Sequence, residues 1–225
     1  MYKILFIDEQ REDSENFLNY IEENDGEKKF EVVFMLPLAD INEMIDEVLA
    51  LRIDAIVIDY FLNEYKTEIR YNVPYNGVTL MEEILKIRED FPCFIMTSFD
   101  DNAIKESHDV NSVYIKGILH GDEKKTAAKS TFIERVENQI IHYRKNIQNV
   151  ENELNNLLEK SKNQKLNAVE EEKLLDLEAI LERAIHAPSK IPTKLKETNN
   201  LVVLHKLITE TDDFLKQLKD SKKND

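Results

Sequence analysis

Residues 2–9 read YKILFIDE, a run of apolar and aromatic residues that ends directly in two acids. Three later segments have the same form: DAIVID at 54–59, CFIMTS at 93–98 and VYIK at 113–116. Short apolar runs that alternate with helical segments are typical of buried parallel strands. In an open α/β sheet, the carboxyl ends of the strands line the crevice where ligands bind. The sequence therefore predicts that the polar residues behind the four runs converge on one site.

The converging residues are three acids, a hydroxyl and an ammonium: Asp8, Glu9, Asp59, Thr97 and Lys116. Mg²⁺ prefers oxygen ligands, and crowded carboxylates are costly unless a cation lies among them. This set of groups indicates a site for a divalent cation and a phosphoryl group. Simpler alternatives remain for each position: helix caps for the acidic pair and the threonine, a loop acid, and a surface lysine.

The first half of the chain alternates between the two kinds of secondary structure. Helices are predicted at about 11–24, 40–50, 77–89 and 101–107, between strands at 2–7, 30–35, 53–58, 92–97 and 112–116. This alternation predicts an α/β fold with a doubly wound parallel sheet. A long segment, NEYKTEIRYNVPYN at 63–76, separates Asp59 from the helix that begins at Gly77. Such a loop is either functional or a tolerated surface insertion.

The chain resembles the receiver domain of two-component response regulators over roughly its first half. The resemblance is carried by Asp8-Glu9, by IVIDYFL around Asp59, by Gly77 with Leu80, by IMTS ending at Thr97-Ser98, and by VYIK ending at Lys116. It implies a five-stranded, flavodoxin-like sheet. It also implies a division into a receiver domain at 1–123 and a helical interaction domain at 124–225.

The same resemblance implies a function. Asp59 would accept a phosphoryl group from a histidine kinase or a phosphotransfer protein. Mg²⁺ would be held by Asp8, Glu9, Asp59 and the backbone carbonyl of Phe61, while Thr97 and Lys116 would contact phosphoryl oxygens. Such a protein modifies itself, so it is not expected to be a turnover enzyme.

Two positions depart from the family pattern. Gly117 follows the lysine where the family commonly has proline, and Val113 stands where the family has an aromatic switch residue. Tyr114 should point to the opposite face of the strand. These departures leave open a receiver-like scaffold that binds partners without accepting phosphate.

The second half is predicted to be helical. Apolar residues recur at spacings of three and four from 133 to 157, and further helices are predicted at about 168–186 and 195–219. One apolar stripe per helix requires a bundle or a coiled coil. We expect a homodimer, because the first helix should outreach its partners; a bundle within one chain is the alternative. Phosphorylation would then be relayed to dimerisation or to a downstream protein partner.

Composition narrows the class of protein further. Residues 1–120 contain 11 basic and 26 acidic residues, whereas residues 121–225 contain 19 of each. A neutral helical half is a poor candidate for binding DNA phosphates, so a DNA-binding regulator is the less favoured alternative. The absence of a long apolar stretch or a signal-peptide pattern, together with a single cysteine, predicts a cytoplasmic protein with no membrane segment.

Overall fold

The computed structural model of the chain describes residues 1–63, 69–98, 112–120 and 130–185. Its strands are Tyr2–Ile7 (β1), Phe30–Met35 (β2), Ala55–Asp59 (β3), Cys93–Thr97 (β4) and Val113–Ile115 (β5). Its helices are Arg11–Asn24 (α1), Ile41–Ala50 (α2), Gly77–Ile87 (α3), Phe132–Asn163 (α4) and Ala168–Ile185 (α5), and a 3₁₀ turn spans Lys116–His120. The helices predicted at 101–107 and 195–219, and the domain boundary predicted after residue 123, lie outside the described residues.

All five strands are parallel, in the order β2-β1-β3-β4-β5. This order confirms the predicted doubly wound, flavodoxin-like sheet. The direction in which successive strands are added reverses between β1 and β3. In open α/β sheets a crevice forms at such a switch point, so the fold places a ligand site behind the carboxyl ends of β1 and β3.

Both faces of the sheet are covered, which explains why its strands are almost continuously apolar. Alternate residues of β1, β3 and β4 enter opposite layers. One layer is completed by α2 and α3, and contains Ile7, Ile58 and Ile95 from the sheet. The other is completed by α1 and the beginning of α4, and contains Phe6 and Val57.

The predicted start of β3 is two residues too early. Asp54 precedes the strand, which begins at Ala55. Its backbone N–H donates to the Lys3 carbonyl at 2.8 Å, and its carboxylate accepts the Lys3 N–H at 2.9 Å and pairs with Arg144 at 2.6 Å. Strand patterning alone does not reveal such a side-chain contact.

The long helix α4 begins on the sheet and not in a bundle. A capping box fixes its first turn, because the Thr131 hydroxyl accepts the Glu134 N–H while the Glu134 carboxylate accepts the Thr131 N–H. Its first apolar residues, Phe132, Ile133, Val136 and Ile140, are buried against the sheet. These first turns of α4, which fall within the helical domain predicted at 124–225, complete the α/β core.

Beyond the sheet, α4 and α5 pack against each other as an antiparallel pair. Ion pairs join Lys160 to Glu170 and Glu153 to Lys173, which fixes the antiparallel direction. This packing occurs within one chain, and the predicted homodimer stays a prediction. Although α4 has 32 residues, neither it nor any other helix in the described ranges combines the length and apolarity needed to cross a membrane.

A buried arginine ties the end of this helix pair back to the α/β core. The Arg88 guanidinium donates to the carbonyl of Leu49, at 3.2 Å, and to that of Arg183, at 3.1 Å. It also lies over the Phe91 ring, 5.4 Å from the ring centroid. The far end of α5 is thus docked where α2 and α3 end.

The long segment after Asp59 is built into the core. Its side chains Leu62, Ile69 and Val73 are almost fully buried. The hydroxyls of Tyr71 and Tyr75 donate to the carbonyls of Pro37 and Leu38, at 2.8 and 2.6 Å. Of the two interpretations, a surface insertion that is merely tolerated does not fit these contacts; Tyr65 lies outside the described residues.

Candidate functional site

Strand register brings the predicted site residues together. Ile7 pairs with Ile58. Asp8 and Asp59 come directly after these two residues, so both lie at the same edge of the sheet. On the next two strands Thr97 pairs with Ile115, which places Lys116 directly behind the pair. All of these residues therefore lie at the carboxyl edge, at or beside the switch point between β1 and β3.

The three acids form one buried cluster. Asp8 and Glu9 are fully buried, and Asp59 is 4% exposed. One carboxylate oxygen from each lies within 4.8 Å of the others. The position of Asp8 is fixed locally, because its Oδ1 accepts the Gln10 backbone N–H at 2.8 Å in the turn before α1.

Lys116 supplies the positive charge of the site. Its Nζ lies 2.9 Å from Asp8 Oδ2, 2.9 Å from Asp59 Oδ1 and 2.5 Å from Asp13 Oδ2. Asp13, in the first turn of α1, was not among the predicted site residues. The spacing of four residues between Glu9 and Asp13 was the sequence signal that could have indicated Asp13. Whether Asp13 contacts Lys116, however, depends on how α1 is rotated against β5.

Burial dominates the ionisation of these groups. The pKa of Asp59 is raised to about 8, chiefly by burial; the neighbouring Asp8 also raises it, and the Lys116 charge acts in the opposite direction. The pKa of Asp8 is raised to about 6, again chiefly by burial. Burial alone would lower the pKa of Lys116, but the charges of Asp59 and Asp8 outweigh it and keep the ammonium charged.

The residues present fit a hard divalent cation. The donor set consists of carboxylate oxygens, which is what Mg²⁺ prefers. Four carboxylates, counting Asp13, face one ammonium, so the buried site carries an excess of negative charge. Burial is the main cause of the raised pKa values of Asp8 and Asp59, neighbouring carboxylates add to it, and a bound cation would offset the cost of the buried negative charge.

The remaining predicted residues also lie at this edge. Thr97 is fully buried at the end of β4, and Phe61 is half-buried two residues after Asp59, with its ring 4.6 Å from that of Tyr60. Val113 and Tyr114 enter opposite layers, as predicted. The structure thus brings Asp8, Glu9, Asp59 and Lys116 into contact and places Thr97 at the end of β4 and Phe61 in the loop after β3; the chemical roles of all six stay predictions.

Gly77 holds α3 against the loop that follows Asp59. Its N–H donates to the Tyr60 carbonyl at 2.9 Å. A Cβ at this position would lie 2.2 Å from the Asp59 backbone oxygen, so the close approach requires glycine. The Asn76 side chain caps the helix by accepting the Thr79 N–H. The resemblance named Gly77, but the structure supplies the reason for it.

Comparison with solved structures gives the following likenesses. The N-terminal domain of a response regulator/sensory box/GGDEF protein from Carboxydothermus hydrogenoformans is 18% identical, with a TM-score of 0.42, over 64% of this chain and 98% of that one. The non-phosphorylated receiver domain of the stress response regulator RcsB from Escherichia coli is 16% identical, with a TM-score of 0.40, over 55% and 88%. No protein-family profile and no curated protein matches the chain.

At TM-scores below 0.5 these likenesses carry no weight, and the fold is assigned from the sheet itself. Strand order, parallel pairing and acids gathered behind β1 and β3 agree with the resemblance drawn from the sequence. The fold is a doubly wound, flavodoxin-like α/β fold with three acids gathered at its switch point. The sheet is followed by the α4–α5 helix pair, and the first turns of α4 belong to the α/β core.

Proposed function

We propose that this receiver accepts a phosphoryl group on Asp59 and relays the change through α4 to protein contacts. The observation that carries the proposal is the buried carboxylate cluster with Lys116 Nζ 2.9 Å from Asp59 Oδ1. An acceptor oxygen, a cation site and a fixed ammonium then lie within one crevice. These are the parts that phosphoryl transfer needs, because its catalysis is mainly positioning and charge neutralisation.

The step is a transfer from a phosphohistidine of a kinase or phosphotransfer protein. An Asp59 carboxylate oxygen forms a bond to phosphorus while the bond from phosphorus to the donor histidine nitrogen breaks. That nitrogen keeps the electron pair and takes up a proton from water. The product is an aspartyl phosphate on this chain, so the protein is a substrate of its own reaction and not a turnover enzyme.

Asp8, Glu9, Asp59 and the Phe61 carbonyl would hold Mg²⁺. When bound, the ion supplies positive charge that offsets the carboxylates and the phosphoryl oxygens. The chain's own groups do the rest. Lys116 would present its ammonium to a phosphoryl oxygen, and the Thr97 hydroxyl would donate to another.

The packing of β5 supports a route from the site to the helix pair. Tyr114 lies two residues before Lys116, and its ring is 4.6 Å from that of Phe132 in the first turn of α4. The Arg135 guanidinium lies 5.9 Å from the Tyr114 ring centroid. A shift of β5 on phosphorylation would therefore reach α4 directly. We propose that the output is a changed protein contact of the helices, either homodimerisation or binding of a downstream partner in the cytoplasm.

Intact-mass measurement with a small phosphodonor and Mg²⁺ tests the acceptor role. The wild-type chain should gain the mass of one phosphoryl group, and the Asp59→Asn chain should gain none. Asp54→Asn is the matched control, because Asp54 lies at the opposite end of β3 and should leave the reaction unchanged. Equal labelling of wild type and Asp59→Asn would contradict the proposal, and silence of the wild type would favour the scaffold alternative.

A further inference from the structure

Lys116 has no donor to spare in the structure. An ammonium carries three N–H groups, and the three carboxylates of Asp8, Asp13 and Asp59 lie within 2.9 Å of Nζ. For Lys116 to contact a phosphoryl oxygen, it must release one of them. Which acid is released determines the free-energy cost of forming the phosphorylated state.

The acid that can be released most easily is Asp13. Its side chain is 21% exposed, against 0% for Asp8 and 5% for Asp59, so its carboxylate can regain water when Lys116 leaves. Asp8 is also held by the Gln10 N–H and belongs to the candidate cation cluster. In the described part of the chain, Lys116 is the ion-pair partner that fixes Asp13.

We propose that Asp13 is a positioning residue that holds Lys116 in the resting site and competes with the phosphoryl group for it. This inference rests on the proposed function, because it concerns the same crevice. Asp13 Oδ2 and Asp59 Oδ1 share one Nζ at 2.5 and 2.9 Å, so they are at most 5.4 Å apart. Negative charge added to Asp59 is therefore opposed by Asp13 in two ways: by repulsion and by the loss of a shared ammonium.

The consequence is that Asp13 biases the site toward its unmodified form. An acid placed for metal binding would favour both the cation and the phosphoryl group. Asp13 instead favours the cation through its negative charge and disfavours the phosphoryl group through Lys116. Opposite signs for these two ligands are the signature of the proposed role.

Beryllium fluoride, a mimic of the phosphoryl group, is the probe, titrated by calorimetry into the full chain at saturating Mg²⁺. Asp13→Asn should bind it roughly two- to fivefold more tightly than wild type, the upper part of the range for ion pairs that are open to solvent. Mg²⁺ affinity of the same variant, measured separately, should be lower, because one negative charge near the cation site is lost. Asp13→Ala removes the carboxylate in a second way and should agree, whereas Asp13→Glu should restore the wild-type affinity.

Glu12→Gln is the matched control, since it removes one negative charge from the same turn of α1 at an exposed position. It should change beryllium fluoride affinity by less than about twofold because solvent screens its charge. Beryllium fluoride binding by wild type would uphold the proposed function. If Asp13→Asn then binds beryllium fluoride equally or more weakly, the inference about Asp13 is overturned on its own. A Glu12→Gln effect as large as that of Asp13→Asn would also overturn it. Binding by the variant alone would support the inference, and silence of both proteins would overturn it together with the proposed function.

Discussion

Gly77→Ala should lower the free energy of unfolding by at least about 3 kcal/mol, because the added methyl group meets backbone atoms and not a flexible side chain. The added Cβ would lie 2.2 Å from the Asp59 oxygen and 3.0 Å from its carbonyl carbon. Either α3 moves outward or the end of β3 moves, and both break the contact between the Gly77 N–H and the Tyr60 carbonyl. Urea unfolding in the absence of metal measures the loss.

The same substitution should weaken Mg²⁺ binding, since the displaced loop carries both Asp59 and Phe61. Gly26→Ala is the matched control: a Cβ there meets nothing within 4 Å. Its unfolding free energy should stay within about 0.5 kcal/mol of wild type, with normal Mg²⁺ binding. Gly77→Ala and Gly26→Ala proteins of equal stability would show that the close approach at Asp59 is not required.

Lys116→Met should destabilise the metal-free protein by about 3 kcal/mol, because it leaves buried carboxylates without their cation. Lys116 is 8% exposed and contacts Asp8, Asp13 and Asp59, so no other group in the described chain takes its place. Mg²⁺ should then stabilise the variant more than it stabilises wild type, since the ion meets the same acids without a competing ammonium. Phosphoryl acceptance should nevertheless fall.

Urea unfolding with and without Mg²⁺ measures both effects of this change. Lys86→Met is the control: Lys86 pairs with Glu83 on the exposed face of α3 and should give no measurable change in either condition. A Lys116→Met protein as stable as wild type without metal, or one that gains less from Mg²⁺, would contradict the charge balance described for the site.

The pH dependence of stability has a defined sign in wild type and in Lys116→Met. Burial raises the pKa of Asp59 from 3.8 to about 8, so the folded chain holds this proton more tightly than the unfolded chain. The resulting stabilisation is complete below about pH 4 and is lost as the pH rises toward 8. In Lys116→Met the loss of stability should extend to higher pH, because the Lys116 ammonium opposes the rise in the pKa of Asp59. Saturating Mg²⁺ should diminish it in both proteins.

Much of the α/β half could be predicted because its strands are buried on both faces. Runs such as ILFI at 4–7 and AIVI at 55–58 contain no polar residue, and each ends where a polar residue reaches the crevice. The strand ends were less predictable, as Asp54 shows: it was assigned to the strand, but β3 begins at Ala55 and the Asp54 carboxylate accepts the Lys3 N–H.

The partner of an apolar helix stripe could not be predicted from its spacing. A repeat of three and four is the same whether the stripe meets a sheet or another helix. In α4 it does both: Phe132 and Val136 pack on the sheet, whereas Val150 lies beside α5. The predicted dimer depended on the first helix outreaching its partners; the sheet covers the first turns of that helix within the chain, and the dimer stays a prediction.

The site was predicted in its strand-end residues and missed in its helix residue. Asp8, Asp59 and Lys116 follow from strand register, because parallel strands bring their carboxyl ends to one edge. Asp13 comes from α1, and its contact with Lys116 depends on helix rotation and on the depth of β5. Those quantities are set by tertiary packing and leave no mark in local sequence.

Calorimetric titration of Mg²⁺ into the metal-free full chain decides whether the gathered acids are a cation site. Wild type should bind one ion per chain with saturation in or below the millimolar range, and Asp59→Asn should bind roughly tenfold or more weakly, since it loses a ligand carboxylate. Asp54→Asn should bind as wild type does. No saturable binding to wild type, or identical binding by wild type and Asp59→Asn, would contradict the assignment of Asp8, Glu9 and Asp59 to one metal-dependent acceptor site.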